Sequence, residues 1–257
     1  MNKIKKNNKK PTIIIQARTG SSRLPRKVLS KIQSKPMVWH VINRAKKVKN
    51  IDQIILATSN HPSDRHLVTI AKNEKIFSYQ GSEKDVLDRY YKASQEFHAD
   101  PIIRITGDCP LIDPKLISEM LSFFNKNNFD FIANNIHPTF PDGLDASIFS
   151  FSALEKTWKK AKLQSEREHV VPYMIKQKKS FKIFSYENSE DLSNHRWTVD
   201  EKNDLVFVRK IYHLMKPKFL FYTKDVLKII KKNPNLLKIN SDILRDEGYK
   251  KSLANDF

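Results

Sequence analysis

Short apolar runs rich in β-branched residues alternate with helical patterns through the first half of the chain, and this alternation constrains the fold most strongly. The runs that predict strands are residues 13–15, 53–58, 76–79, 101–106 and 129–133. The helical patterns between them begin at Pro36, at Ser63 as an N-cap, at Asp85 and at Pro114. This order predicts an α/β fold, a Rossmann-like and mostly parallel mixed sheet flanked by helices.

The pattern changes after Asn134, where the regular alternation of strands and helices stops. Residues 144–149 alternate like a half-exposed strand. Further patterns predict two helices and a strand, at 152–161, 166–177 and 181–186. We interpret residues from about 136 to 194 as an insertion, a β-containing arm that shapes a ligand pocket.

The rest of the chain is expected to complete one domain over residues 12–257. Residues 196–199 are predicted to return to the sheet, and helical patterns follow at 204–215 and 224–232. Residues 1–11 are rich in Lys and Asn and lack an apolar segment, so we expect a disordered basic tail.

A polar, basic loop follows the first predicted strand directly. It offers backbone N–H groups, hydroxyls and cations, from Ala17, Arg18, Gly20, Ser21, Ser22, Arg23 and Lys27. A nucleoside triphosphate needs this inventory, because its oxygens require donors and its negative charges require cations. The loop lacks the Gly-x-x-x-x-Gly-Lys-Ser/Thr pattern of the common P-loop. A basic surface loop would use the same residues.

Two carboxylates follow predicted strands elsewhere in the chain. Asp108 comes after Thr106 and Gly107, and Asp200 comes after Trp-Thr-Val. Because ligands bind beyond the carboxyl ends of parallel strands, both side chains are expected at the edge that holds the basic loop. Two carboxylates suit Mg²⁺ bound to a triphosphate, although either aspartate alone could be a helix N-cap.

Three ordered motifs resemble the cytidylyltransferases that activate sugar acids, such as the enzymes making CMP-KDO and CMP-sialic acid. They are Ala17-Arg18 with Gly20-Ser21-Ser22 and Leu24-Pro25-Arg26-Lys27, Gly107-Asp108-Cys109-Pro110-Leu111-Ile112, and Val199-Asp200 through Asp204-Leu205. The spore-coat polysaccharide branch is the most similar, since it shares Pro141 to Asp145, Arg167 to Val170 and Arg196 to Asp200. The resemblance covers about residues 12–205.

The resemblance implies a nucleotide-diphospho-sugar transferase-like fold, CTP as donor, Mg²⁺ as cofactor, a small acidic sugar or phosphorylated acceptor, and a homodimer. The catalytic residues it implies are Arg18, Lys27, Asp108 and Asp200, of which the two aspartates would bind the metal. Nucleotide-binding residues would be Ala17, Arg18, Gly20, Ser21, Ser22, Arg23, Lys27, Gly81, Ser82, Thr106 and Gly107. Acceptor-binding residues would be Asp145, Arg167, His169 and Arg196. An ordinary charge cluster at a helix start is the alternative explanation for Asp145, Arg167 and His169.

The composition of the chain argues against nucleic-acid-binding and membrane functions. The net charge of +19 raises the possibility of nucleic-acid binding, but Lys greatly outnumbers Arg and no nucleic-acid motif accompanies it, so no specific nucleic-acid partner is expected. The single cysteine, Cys109, excludes an internal disulfide, is interpreted as a small core residue, and fits a cytoplasmic location. No apolar run approaches the ~20 residues that span a bilayer, so no membrane partner is expected.

Three alternatives remain at this stage. A nucleotidyltransferase that uses UTP, GTP or ATP would share the architecture, because a fold does not fix the base. A non-enzymatic polyanion-binding protein would account for the charge. A glycosyltransferase would usually carry Asp-x-Asp after a central strand, where this chain has Asp108-Cys109-Pro110.

Overall fold

The computed structural model describes residues 9–243, 245, 247–254 and 256. Its strands are β1 (Lys10–Gln16), β2 (Lys31–Ile32), β3 (Lys35–Pro36), β4 (Gln53–Ser59), β5 (Phe77–Gly81), β6 (Ala99–Thr106), β7 (Phe131–Ala133), β8 (Ser147–Phe149) and β9 (Ile183–Ser185). Its helices are α1 (Met37–Ala45), α2 (Arg65–Asn73), α3 (Val86–Glu96), α4 (Pro114–Lys126), α5 (Phe151–Lys160), α6 (Gln164–His169), α7 (Pro172–Lys176), α8 (Lys202–Leu214), α9 (Thr223–Lys232) and α10 (Glu247–Ala254).

Seven strands form one mixed sheet in the order β5-β4-β1-β6-β8-β7-β9. The first four are parallel, β8 is antiparallel to both β6 and β7, and β9 is parallel to β7. The predicted Rossmann-like, mostly parallel sheet flanked by helices is therefore confirmed. Strands β2 and β3 form a separate small hairpin that the sequence did not predict.

Strand β1 shows why the apolar runs are continuous rather than alternating. Ile13, Ile14 and Ile15 are all fully buried. Successive side chains point to opposite faces of a sheet, so Ile13 and Ile15 enter one hydrophobic cluster and Ile14 enters the other. Helices cover both faces of the sheet. Because β5, β4, β1 and β6 run in parallel, their carboxyl ends lie at one shared edge.

The strand predicted as half-exposed within 144–149 is in fact buried. Ser147, Ile148 and Phe149 are each at most 1% exposed, because β8 inserts between β6 and β7 and is covered on both faces. The expectation that residues 196–199 return to the sheet was also wrong. They form only one isolated bridge, between Asp142 and Arg196, so Asp200 does not follow a strand.

Two helix boundaries differ from prediction. Ser63 does not cap a helix, since α2 begins at Arg65 after a 3₁₀ turn at Pro62–Asp64. The helix predicted over 166–177 is broken into α6 and α7, because Val170 has a positive φ of 72° and Pro172 starts the second helix.

The segment interpreted as an arm, 136–194, contributes β8 and β9 to the main sheet as well as α5, α6 and α7. Of the predicted basic tail, residues 1–8 lie outside the described part of the chain. Lys10 and Pro11 belong to β1.

Candidate active site

A cavity of about 820 Å³ lies beyond the carboxyl ends of β1 and β6. Its walls come from the loop after β1, the segment after β6, helices α6 and α7, and the C-terminal helix α10. The cavity brings together most of the predicted site residues: Ala17, Arg18, Gly20, Ser21, Ser22, Arg23, Lys27, Thr106, Gly107, Asp108, Asp145, His169, Arg196 and Asp200.

Close approach of the two strand ends explains the glycine before Asp108. The Gly107 amide donates a hydrogen bond to the Gln16 carbonyl at 2.7 Å. A Cβ added to Gly107 would lie 2.7 Å from the Cβ of Ala17, closer than side-chain carbons pack. Only glycine therefore lets the segment that carries Asp108 lie against the start of the basic loop.

A buried carboxylate holds the basic loop in place. Asp64, 1% exposed, accepts hydrogen bonds from the Thr19 amide at 2.8 Å and the Thr19 hydroxyl at 2.6 Å. It also accepts from the Thr58 hydroxyl and from the amide and hydroxyl of Ser59 at the end of β4. Burial raises the pKa of Asp64, but these hydrogen bonds outweigh it and lower the pKa below 3.8. Sequence reasoning missed Asp64, since it lies 45 residues from Thr19.

Lys27 joins the two predicted metal-binding aspartates. Its ammonium lies 2.6 Å from Asp108 Oδ2 and 2.7 Å from Asp200 Oδ1. Burial lowers the pKa of Lys27, but the two carboxylates outweigh burial and raise it above 10.5. Burial raises the pKa of Asp108, but the charge and hydrogen bond of Lys27, together with hydrogen bonds from Thr106 and the backbone, outweigh burial and lower it. Lys27 and Asp108 are therefore both charged at neutral pH.

Arg196 fixes the position of Asp200. Its guanidinium contacts Asp142 at 2.8 Å, Asp204 at 2.9 Å and Asp200 at 3.1 Å. Asp204 is fully buried, and its carboxylate accepts hydrogen bonds from the backbone amides of Asp200 and Glu201. Arg196, predicted to bind the acceptor, lines the cavity with its guanidinium bonded to these three carboxylates.

The arginines of the basic loop are paired with carboxylates from other elements. Arg23 lies 2.9 Å from Asp200 and 3.5 Å from Glu247 of α10. Arg18 lies 3.9 Å from Glu83 and 3.9 Å from Glu168. The pairs with the glutamates are 3.5–3.9 Å long and partly exposed, and ion pairs of this kind are weak. An incoming polyanion can therefore replace the glutamates.

Three predicted site residues do not line the cavity. Gly81 ends the edge strand β5 and Ser82 follows it, and the Ser82 carbonyl accepts a hydrogen bond from Arg89 at 3.0 Å. Arg167 instead forms a bidentate pair with Asp85, which caps α3. Neighbouring residues on a helix point about 100° apart, which is why Glu168 and His169 line the cavity and Arg167 does not.

The C-terminal helix supplies the part of the wall that the sequence did not reveal. The Ser252 hydroxyl of α10 lies 2.9 Å from the His169 ring. Arg245, just before the helix, pairs with Asp145 of the cavity wall at 2.7 Å. Tyr249 and Lys251 also line the cavity. No local pattern signals these contacts, because their partners lie 83 or more residues away.

Cys109 is buried among these groups, at 4% exposed. Burial, followed by the charge of Asp108, raises the pKa of the Cys109 thiol well above 9.0. The thiol is therefore protonated, which fits the interpretation of a small core residue and not that of a nucleophile.

The carboxylates around Lys27 could serve as ligands for a metal ion that binds together with the substrate of the protein. Within the described residues, no three His, Cys, Asp or Glu side chains are grouped to hold a metal ion by themselves. Asp108 and Asp200 nevertheless each direct a carboxylate oxygen at the same cation, the Lys27 ammonium. Mg²⁺ typically takes one or two carboxylates and completes its shell with phosphate oxygens and water.

Among the residues that the structure describes, no helix is long and apolar enough to cross a membrane.

Comparison with known proteins identifies the family. The profile of the family described as cytidylyltransferase matches residues 12–243. An uncharacterized protein of Methanocaldococcus jannaschii is 39% identical over 92% of this chain and 96% of its own length. The spore coat polysaccharide biosynthesis protein SpsF of Bacillus subtilis is 27% identical over 86% of this chain and 94% of its own length.

A solved structure shows the same relationship in three dimensions. The cytidylyltransferase from Leptospira borgpetersenii superposes with a TM-score of 0.86 and 34% identity, covering 89% of this chain and 97% of that one. The protein described here belongs to the cytidylyltransferase family and is a nucleotidyltransferase.

Proposed function

We propose that this protein uses CTP and Mg²⁺ to activate a small acidic sugar or a phosphorylated acceptor as its CMP-linked form, with release of pyrophosphate, for surface polysaccharide or glycan biosynthesis. The cluster of Lys27, Asp108 and Asp200 beside a loop of cations carries the proposal, because it combines phosphate-binding and metal-binding groups in one cavity. The name of the Bacillus subtilis relative supports polysaccharide biosynthesis. The motif resemblance supports an acidic sugar and a homodimer, and the single cysteine supports a cytoplasmic location.

In this reaction an acceptor oxygen attacks the α-phosphorus of CTP. The new phosphorus–oxygen bond forms as the bond to the β-phosphate oxygen breaks, and the acceptor proton leaves to solvent. Asp108 and Asp200 would hold the Mg²⁺, which when bound polarises the α-phosphate. Lys27, Arg23 and Arg18 would neutralise charge on the triphosphate and then on the leaving pyrophosphate.

The contacts within the cavity explain how the protein would accept so much negative charge. In the described structure Arg23 and Arg18 are paired with Glu247 and Glu168. A triphosphate carries more charge than these glutamates and offers better geometry for arginine, so it would replace them. Lys27 would then lie between phosphate and carboxylates as the nucleotide binds.

Calorimetric titration of CTP, UTP, GTP and ATP, with and without Mg²⁺ at moderate salt, tests the proposal. We expect selective CTP binding that strengthens with Mg²⁺, and loss of the Mg²⁺ effect in Asp108→Asn. Lys115→Met is the matched control, because Lys115 is exposed on α4 outside the cavity. Equal, salt-sensitive binding of all four nucleotides would contradict the proposal and favour a general polyanion-binding surface.

A further inference from the structure

One packed part of the fold carries +8 of the net charge of +19. Residues 202–239, here called the basic segment, contain ten Lys or Arg and two Asp or Glu. They form α8, α9 and a 3₁₀ turn at Pro234–Ile239, which contact one another. Both acids are used internally, since Asp204 is buried against Arg196 and Asp225 accepts a hydrogen bond from the Tyr222 amide at the start of α9.

Helix α9 presents its lysines on one side. Lys224, Lys228, Lys231 and Lys232 are all exposed and follow one another at helical spacing. Val226 and Ile230 of the same helix are buried in the core, so the lysines lie on the side that faces solvent. No salt bridge within the described residues involves any of these four lysines.

Exposed apolar side chains are concentrated in the same segment. The basic segment holds four of the seven large hydrophobic side chains that are exposed in the described structure: Val206, Leu214, Phe219 and Leu237. Phe219 is the most exposed, at 73%, and lies in the turn between α8 and α9, where Lys216 and Lys218 come just before it.

The basic segment also carries a shallow groove on α8. The groove, of about 350 Å³, is lined by Val206, Arg209, Lys210, His213 and Leu214, so apolar and basic side chains lie side by side. A solvated face of a helix normally carries charge without exposed apolar side chains. The combination indicates a partner that is both apolar and anionic.

We propose that the basic segment docks on a membrane surface that contains anionic lipids. Phe219 inserts at the level of the headgroups, and the lysines of α9 face the lipid phosphates. Nucleic acid would satisfy the lysines and could stack on Phe219, but it offers nothing to Val206 and Leu214. This proposal revises the expectation from sequence that the protein has no membrane partner.

Docking and catalysis involve separate residues. Neither Phe219 nor the four lysines of α9 line the candidate active site, whose cavity is formed by other elements. Substitutions in the basic segment are therefore expected to leave nucleotide binding unchanged, and the proposal does not depend on which nucleotide the protein uses.

Co-sedimentation of the full chain with lipid vesicles tests the proposal. We expect the protein to pellet with vesicles of phosphatidylcholine and phosphatidylglycerol at moderate salt, and not with phosphatidylcholine alone. Replacing Lys224, Lys228, Lys231 and Lys232 by Gln should weaken vesicle binding on the order of 100-fold or more. Each lysine near an anionic surface increases the affinity by a similar factor, and the four factors multiply. Phe219→Ala should weaken it about 10-fold.

Matched variants separate this surface from net charge. Replacing Lys159, Lys160, Lys178 and Lys179 by Gln removes the same charge from exposed positions on another part of the surface. Phe77→Ala removes an exposed phenylalanine, at 50%, from the edge strand β5. Both controls should bind vesicles nearly as the wild type does.

Four results would overturn the proposal. The first is no pelleting with anionic vesicles, and the second is an equal loss in the two lysine variants, which would reflect net charge alone. The third is displacement from the vesicles by single-stranded DNA that binds the protein through Phe219. The fourth is a change of oligomeric state in Phe219→Ala, measured by light scattering, which would assign this surface to a second copy of the chain.

Discussion

Replacing Lys27 by Met removes a charge on which two carboxylates depend. The ammonium lies 2.6 Å from Asp108 and 2.7 Å from Asp200, and the lysine side chain is only 12% exposed. Methionine keeps most of the volume of the side chain, so the main change is electrostatic. We expect lower stability and slower turnover, for different reasons.

The loss of stability is expected to come mainly from Asp108. Asp200 keeps Arg23 at 2.9 Å and Arg196 at 3.1 Å. Asp108 has no second ion pair in the described part of the chain and keeps only hydrogen bonds from neutral groups, Thr106, the Cys109 thiol and a backbone amide. One such pair has a gross attraction of about 6 kcal/mol at an effective dielectric constant near 20, which the cost of desolvation offsets in part. Removing one partner of a buried pair costs about 3–5 kcal/mol. Because the Asp108 side chain is 23% exposed, we expect about 3 kcal/mol.

The expected effect on turnover is a fall on the order of 100-fold or more, as for removal of one preorganised electrostatic group. Pyrophosphate release measures turnover, and urea denaturation measures the free energy of unfolding. The double variant Lys27→Met with Asp108→Asn should recover at least half of the lost stability, because the unpaired carboxylate is gone, while its turnover remains low. Lys115→Met is the control, since its pair with Glu119 is exposed on both sides.

Two results would refute this reasoning. Turnover of Lys27→Met close to that of the wild type would show that the ammonium does not act on the triphosphate. A double variant as unstable as Lys27→Met would show that the cost does not come from the unpaired Asp108 carboxylate.

Three further predictions concern other parts of the site. Asp64→Asn should weaken CTP binding about 10-fold in calorimetry and cost about 1–3 kcal/mol of stability at pH 7; since the pKa of Asp64 is lowered below 3.8, its stabilisation is complete above that value and is lost as pH falls through the lowered pKa, so the difference between the variant and the wild type in denaturation experiments should shrink as the pH is taken below 3.8. Gly143→Ala should lower the thermal midpoint by more than 5 °C, because φ is 102° and a Cβ would lie 2.3 Å from the Thr198 amide, whereas Gly248→Ala meets no atom within 4 Å and should be neutral. Cys109 should react with a thiol reagent at pH 8 only after unfolding, and fast labelling of the native protein would contradict its burial.

Several parts of the site could be predicted from the sequence because they depend on local patterns. Ile13 to Ile15 predicted a buried strand, and the basic loop after it lies at the carboxyl edge of the sheet as expected. Gly107 and Asp108 follow β6 directly, at the same edge. A run of apolar residues followed by a polar turn encodes burial and then exposure within one short segment, so no distant partner has to be known.

Other parts depend on contacts that no local pattern contains. Residues 144–149 alternate like a half-exposed strand, yet β8 is buried because it inserts between β6 and β7. Arg167 was expected in the cavity, but it pairs with Asp85 on the side facing α3. In both cases the partner that decides the environment lies far along the chain.

The sequence by itself determined the order of strands and helices in the first half, the basic loop and the two aspartates that face it. Only the tertiary structure decided that Lys27 joins those aspartates, that Arg196 orients Asp200, and that α10 closes the cavity. The physical reason is that hydrophobic periodicity records which face of one element is buried, whereas an ion pair needs two side chains to meet. Arg23 and Glu247 form such a pair across 224 residues, and only the fold brings them within reach.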